Sequence, residues 1–89
     1  MAYVRFITPF TNVTGTNNIN VEADNVRDLC KKLVQIFGKE MSVILDEKEE
    51  LSQKMVLLVN RRNAHTLEGA NTFLEKDTEI IIMHYIVGG

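Results

Sequence analysis

The chain has 89 residues, 45% of them hydrophobic and 25% charged, with a net charge of −2. That size suits one domain with a modest core, and the charge leaves no broad cationic field for nucleic acid or an anionic membrane. One cysteine, Cys30, excludes an internal disulfide and a multi-cysteine metal site, and no apolar run approaches the ~20 residues of a membrane helix.

The opening residues lack the basic stretch and apolar block of a signal peptide, so a cytoplasmic location is expected. Residues 2–8 read as a strand, with Val4 and Phe6 on one face and Tyr3, Arg5 and Ile7 on the other. Pro9 lacks an amide donor and ends or edges the pairing. Residues 15–18 are turn formers, and Ile19 and Val21 then alternate with Asn20 and Glu22 as a second strand. The two strands read as a hairpin with a mobile tip.

Asn25 suits a helix N-cap, and Asp28 three residues on makes a capping-box analogue. Val26, Leu29, Cys30, Leu33, Ile36 and Phe37 then recur at helical spacing, and Gly38 supplies a stop. Residues 40–51 are ambiguous: Met41, Ile44 and Leu45 fit a short helix, and residues 46–50 an exposed charged loop. Residues 55–59 are apolar enough for a buried strand, and residues 60–63 form a polar turn. Residues 72–77 are a loop in which Phe73 and Leu74 are expected to anchor the core. Residues 79–85 are the last strand, expected to be central because nearly every position is apolar.

This order predicts an α+β fold, a mixed sheet packed on one main helix. Pairing the first strand with the last would close the domain and leave the C-terminus free.

Several segments carry a family likeness. Val4-Arg5-Phe6, Asn25-Val26-Arg27-Asp28-Leu29, Val59-Asn60, Leu74 followed by Glu79-Ile80, and the final Val87-Gly88-Gly89 occur in a familiar order. Together they resemble the MoaD/ThiS family of ubiquitin-like sulfur carriers over essentially the whole chain. Length and spacing are most similar to its MoaD-like branch, which includes the molybdopterin synthase small subunit and archaeal small modifier proteins. The resemblance implies a ubiquitin-like β-grasp domain over residues 1–89, with residues 86–89 as an exposed, flexible, reactive tail. It implies that a ubiquitin-activating-type enzyme adenylates the Gly89 carboxylate with its own ATP and Mg, and that this chain binds no cofactor. Sulfur transfer would then give a thiocarboxylate for sulfur donation in molybdopterin or related cofactor biosynthesis. The molybdopterin synthase large subunit, or another sulfur acceptor, is the implied partner.

Four positions depart from the family pattern. His84 and Tyr85 stand where two prolines are common, making the exit of the tail less rigid. Arg61 replaces a glycine after Val-Asn, and Asp77 replaces the glycine of the last turn, where aspartate can still adopt a turn conformation.

The diglycine makes chemical sense. A carboxylate is a poor acyl donor until attack on the α-phosphate of ATP makes it a mixed anhydride. That step threads the last residues through a narrow channel, and Gly88 and Gly89 permit the close approach because they have no Cβ. The bland alternative is a frayed end, but at ordinary glycine usage a Gly-Gly end arises by chance only about once in 200 chains. Without packing partners the tail is expected to be disordered when unbound.

Other candidates weigh less. Cys30 lies on the apolar stripe of the helix, where packing is the simpler reading than sulfur relay. His65 and His84 are too isolated for a metal site, although His84 could shape the tail entrance. Ile7, Met83 and Tyr85 are expected on the sheet face away from the helix, and with Ile86 and Val87 they form a candidate docking patch. Arg61, beside Arg62, could steer toward an acidic partner. No autonomous catalytic constellation is evident, so any enzymatic role would be as a subunit that donates sulfur. Two rivals remain: a modifier conjugated through Gly89 to target-protein lysines, and an interaction module that is never activated.

Overall fold

The structure, a computed structural model, describes residues 1–7 and 10–84. Expectations for Thr8, Pro9, Tyr85, Ile86, Val87, Gly88 and Gly89, the disorder of the tail included, lie outside the described residues.

The alternation of the first segment becomes strand β1, Ala2–Phe6, with Ala2, Val4 and Phe6 buried and Tyr3 and Arg5 exposed. Strand β2, Asn18–Val21, pairs with β1 antiparallel, Val4 facing Ile19 across the ladder. The connection is not simply a turn: it contains a one-turn helix, α1, Phe10–Thr14. Five residues are too few to show a helical hydrophobic period, so a sequence reading has little to detect.

The main helix is α2, Val26–Phe37. Asn25 caps it as expected, its side chain accepting from the Asp28 N–H at 2.8 Å. The reciprocal bond falls one residue early: the Asp28 carboxylate accepts from Asp24 N–H at 3.4 Å rather than from Asn25. Gly38 ends the helix at φ 100°, in the left-handed half of the map where glycine is favoured. Val26, Leu29, Cys30 and Leu33 are buried, but Ile36 is 52% exposed and does not join the core. At 100° per residue Ile36 falls at the edge of the stripe that Leu29 and Leu33 define.

A 3-10 helix, Lys39–Ile44, follows and buries Met41 and Ile44 completely. Residues 46–50 form the exposed charged loop, and Leu45 and Leu51 form an antiparallel bridge across its neck. Strand β3, Met55–Val59, buries Met55, Leu57 and Val59, while Val56 and Leu58 are only half-buried. Asn60 and Arg61 make a turn with both φ positive, 50° and 71°, leading into the short strand β4, Arg62–Asn63. The two-residue left-handed turn matches the twist of the strands it joins. Leu74 is buried, but Phe73 is 67% exposed. Only one of the two expected anchors reaches the core: the segment is extended where it bridges Asn25, so successive side chains point to opposite sides, and with Leu74 inward Phe73 faces out.

Strand β5, Glu79–His84, lies parallel to β1 and antiparallel to β3. Among the described residues the sheet has the order β2-β1-β5-β3-β4. The first and last strands therefore pair at its centre, and the sheet is mixed, as expected. Ile80 and Ile82 are fully buried against the helix side, in one cluster with Val4, Leu29, Leu33 and Leu57. Burial of a side chain of this size contributes about 1.5–3 kcal/mol, so this layer is the main support of β5.

Candidate functional site

Strict alternation along β5 decides what surrounds its exit. Ile80 and Ile82 point into the core, so Ile81 and Met83 lie on the outer face. Register then assembles that face. Leu58 stands opposite Ile81, Val56 opposite Met83, and Arg5 beside Ile81 on the other flank. Ile7 follows the end of β1, and its N–H donates to Ile82 O at 3.1 Å, which places it beside Met83. Val56, Leu58, Ile81 and Met83 are half-buried, and Ile7 and Tyr3 are exposed. Two predicted patch residues, Ile7 and Met83, are thus brought together. Val56, Leu58 and Ile81 were missed as surface residues. Their signal was period-two position within runs that are apolar throughout, which reads as burial on both faces.

Arg61 is not part of this group. Its guanidinium reaches Glu79, the first residue of β5, with Nε 3.6 Å from the carboxylate, and its side chain is 83% exposed. Five residue steps at ~3.3 Å put that end of β5 about 16 Å from His84. His84 itself pairs with Met55, so the strand continues through a position where a proline could not donate to a ladder.

The remaining candidates have structural roles. The thiol of Cys30 is buried, and burial pushes its pKa from 9.0 up to about 12, so the nucleophilic thiolate is strongly disfavoured. The Nε2 of His65 lies 3.1 Å from both Ser52 O and Met55 O, so that edge of the ring is committed to holding the entry to β3. Among the described residues no group of three His, Cys, Asp or Glu side chains could hold a metal ion, and no helix is long and apolar enough to cross a membrane.

A mixed sheet with its first and last strands parallel at the centre, one capped helix on one face and a half-exposed apolar layer on the other defines a ubiquitin-like β-grasp protein. The chain is 35% identical over 75 residues to a candidate sulfur carrier protein of Archaeoglobus fulgidus, an alignment covering 84% of this chain and 85% of that one. The chain belongs to the ubiquitin-like sulfur carrier family, in which sulfur carriers and protein modifiers share one fold. No family model matches it. The small archaeal modifier protein 1 of Methanosarcina acetivorans superposes with a TM-score of 0.84 at 28% identity, covering 99% of this chain and 95% of that one. At 16% identity, a chain of the Amycolatopsis orientalis BexX/CysO complex superposes with a TM-score of 0.89 and full coverage of both chains. That last likeness concerns the fold.

Proposed function

We propose that this protein is a sulfur carrier whose Gly89 carboxylate is adenylated by a ubiquitin-activating-type enzyme, with ATP and Mg bound by that enzyme. The carboxylate attacks the α-phosphate and pyrophosphate leaves. A sulfide equivalent then displaces AMP, giving a thiocarboxylate that donates sulfur in molybdopterin or related cofactor biosynthesis. The observation that carries this reading is β5 itself. A central strand, anchored by buried Ile80 and Ile82, leads in sequence directly to Gly88-Gly89.

In this reading the chain supplies presentation rather than catalysis. Ile7, Met83 and the neighbouring Val56, Leu58 and Ile81 form the docking face for the activating enzyme, continued by Tyr85, Ile86 and Val87. The molybdopterin synthase large subunit, or another sulfur acceptor, takes the charged tail in the cytoplasm. Residues 86–89 act as the reactive tail of one domain.

A second reading is favoured by the likeness to the Methanosarcina modifier. The same acyl-adenylate would be captured by lysines of target proteins. Intact mass spectrometry after incubation with ATP, Mg, a sulfur source and a cognate activating enzyme separates the two. An oxygen-to-sulfur mass increase, absent from a chain lacking Gly89, supports the carrier. Lysine conjugates without sulfur support the modifier. An unchanged mass, with the enzyme active on another carrier, sinks both.

A further inference from the structure

A second surface lies on the helix side of the sheet, away from the outer face. The 3-10 helix Lys39–Ile44 packs against α2 through Met41 and Ile44, and with the loop after it leaves an open groove of about 580 Å3 beside one flank of the helix. Its floor is apolar, formed by Cys30, Val34, Met41 and Leu45. Its rim is acidic. Asp46, Glu47 and Glu49 line it against a single cation, Lys31.

That cation is already committed, because Lys31 Nζ sits 2.6 Å from a Glu49 carboxylate oxygen. Asp46 is held in place, its Oδ1 accepting from the Lys48 N–H at 2.8 Å and the Glu50 N–H at 3.0 Å. Glu47 has no partner among the described residues. Residues 46–50 carry four carboxylates and one cation, Lys48, and Glu50 pairs with Arg27 at 3.3 Å, which leaves Asp46 and Glu47 as the carboxylates without a cationic partner among the described residues.

Floor and rim together specify an occupant. An apolar floor is satisfied by an aliphatic or aromatic side chain, which a small polycation lacks. An acidic rim repels an acidic segment and attracts lysine or arginine. We propose that this groove binds a basic amphipathic segment of a partner protein. One apolar anchor sits between Val34 and Leu45, and basic residues beside it face Asp46 and Glu47. The sheet separates the groove from the outer face. A partner docked on Ile81 and Leu58 therefore leaves the groove open, and both can be held at once. The inference stands independently of the chemistry at Gly89.

The test uses the full chain, labelled with nitrogen-15, and a short amphipathic leucine–lysine peptide, with its leucine–glutamate counterpart as control. The leucine–lysine peptide is expected to shift the amides of Lys31, Val34, Gln35, Leu45 and Glu47, and the control to shift none of them. The double variant Gln35→Arg/Glu47→Lys is expected to weaken binding about tenfold by reversing the local field. Neither side chain has a partner among the described residues, so the fold should survive. Gln35→Arg alone, at an exposed helical position, is expected to weaken binding in the same direction. The proposal is overturned if the leucine–lysine peptide does not bind or both peptides bind equally. It is equally overturned if the shifts map to Ile7, Leu58 and Ile81, or if folded variants bind unchanged.

Discussion

Asn60 and Glu79 hold each other by two hydrogen bonds: Asn60 N–H donates to Glu79 O at 2.8 Å, and Glu79 N–H donates to Asn60 Oδ1 at 2.9 Å. The tip of the β3–β4 hairpin is thereby clamped to the first residue of the central strand. Asn60→Ala removes one bond and puts a poorer residue at φ 50°. The expected loss is about 1–2 kcal/mol. Asn60→Gly loses the same bond but suits the left-handed backbone, which offsets its greater unfolded-state entropy, so it should fall between wild type and Asn60→Ala in urea unfolding. Equal stability of all three would show that the clamp is idle.

Arg61 follows at φ 71°, and its ion pair with Glu79 is exposed. A left-handed arginine costs about 1–2 kcal/mol, against a surface pair worth about 0–1 and the greater unfolded-state entropy of glycine. Arg61→Gly should therefore be neutral to stabilising, by up to about 1 kcal/mol. Asp77, at φ 63°, should behave alike on replacement by glycine. Thermal unfolding of both variants decides it, and a clear drop in midpoint would mean the side-chain contacts outweigh the backbone.

The sequence anticipated these two positions because each departs from a glycine in the family pattern, and the backbone still demands the left-handed region. The N-cap at Asn25, α2 and the central place of β5 were legible for the same kind of reason: each has a local chemical or periodic signal. Phe73 and Ile36 were not. A lone apolar residue beside buried Leu74 has no partner in a pattern to show which way it faces, and Ile36 sits where a 3.6-residue stripe has an edge. The outer layer of Val56, Leu58 and Ile81 was hidden by its apolar neighbours. It becomes visible only through strand register.

Cys30 should be chemically silent in the folded chain. Its folded pKa is raised from 9.0 to about 12. The stability linked to the protonated thiol is thus complete below the unfolded value and is lost as pH rises from 9.0 toward 12. At neutral pH, a thiol-reactive dye should label Cys30 only in denaturant, and Cys30→Ala should not lower formation of the thiocarboxylate proposed at Gly89. Rapid labelling of the native chain would revive the thiol as a sulfur relay.

The hydrogen bond from Lys31 and its charge, with a smaller contribution from Arg27, hold the Glu49 carboxyl below its usual value. A depressed folded pKa contributes stability above the unfolded value of 4.5, and that contribution fades as pH falls through the folded one. Carboxyl titration by NMR should show Glu49 moving up toward the ordinary value in Lys31→Ala. No movement would mean that the 2.6 Å contact is not populated in solution.

The outer face gives the decisive functional variant. Ile81 is flanked by Leu58 and Arg5 at the centre of the sheet, and its neighbour Ile82 points into the core. Ile81→Glu should therefore place a charge in the proposed docking face while leaving the buried layer in place. Loss of a central apolar contact costs an interface about 2 kcal/mol or more, so the proposed adenylation should fall roughly 30-fold or further through a weaker complex. Arg61→Ala, at the opposite end of β5, should change it by no more than about twofold. Pyrophosphate release by the activating enzyme, measured over a range of carrier concentrations, reads both. A higher KM for folded Ile81→Glu with little change for Arg61→Ala supports docking through the Ile81 layer. Similar kinetics for all three proteins would place the docking surface elsewhere.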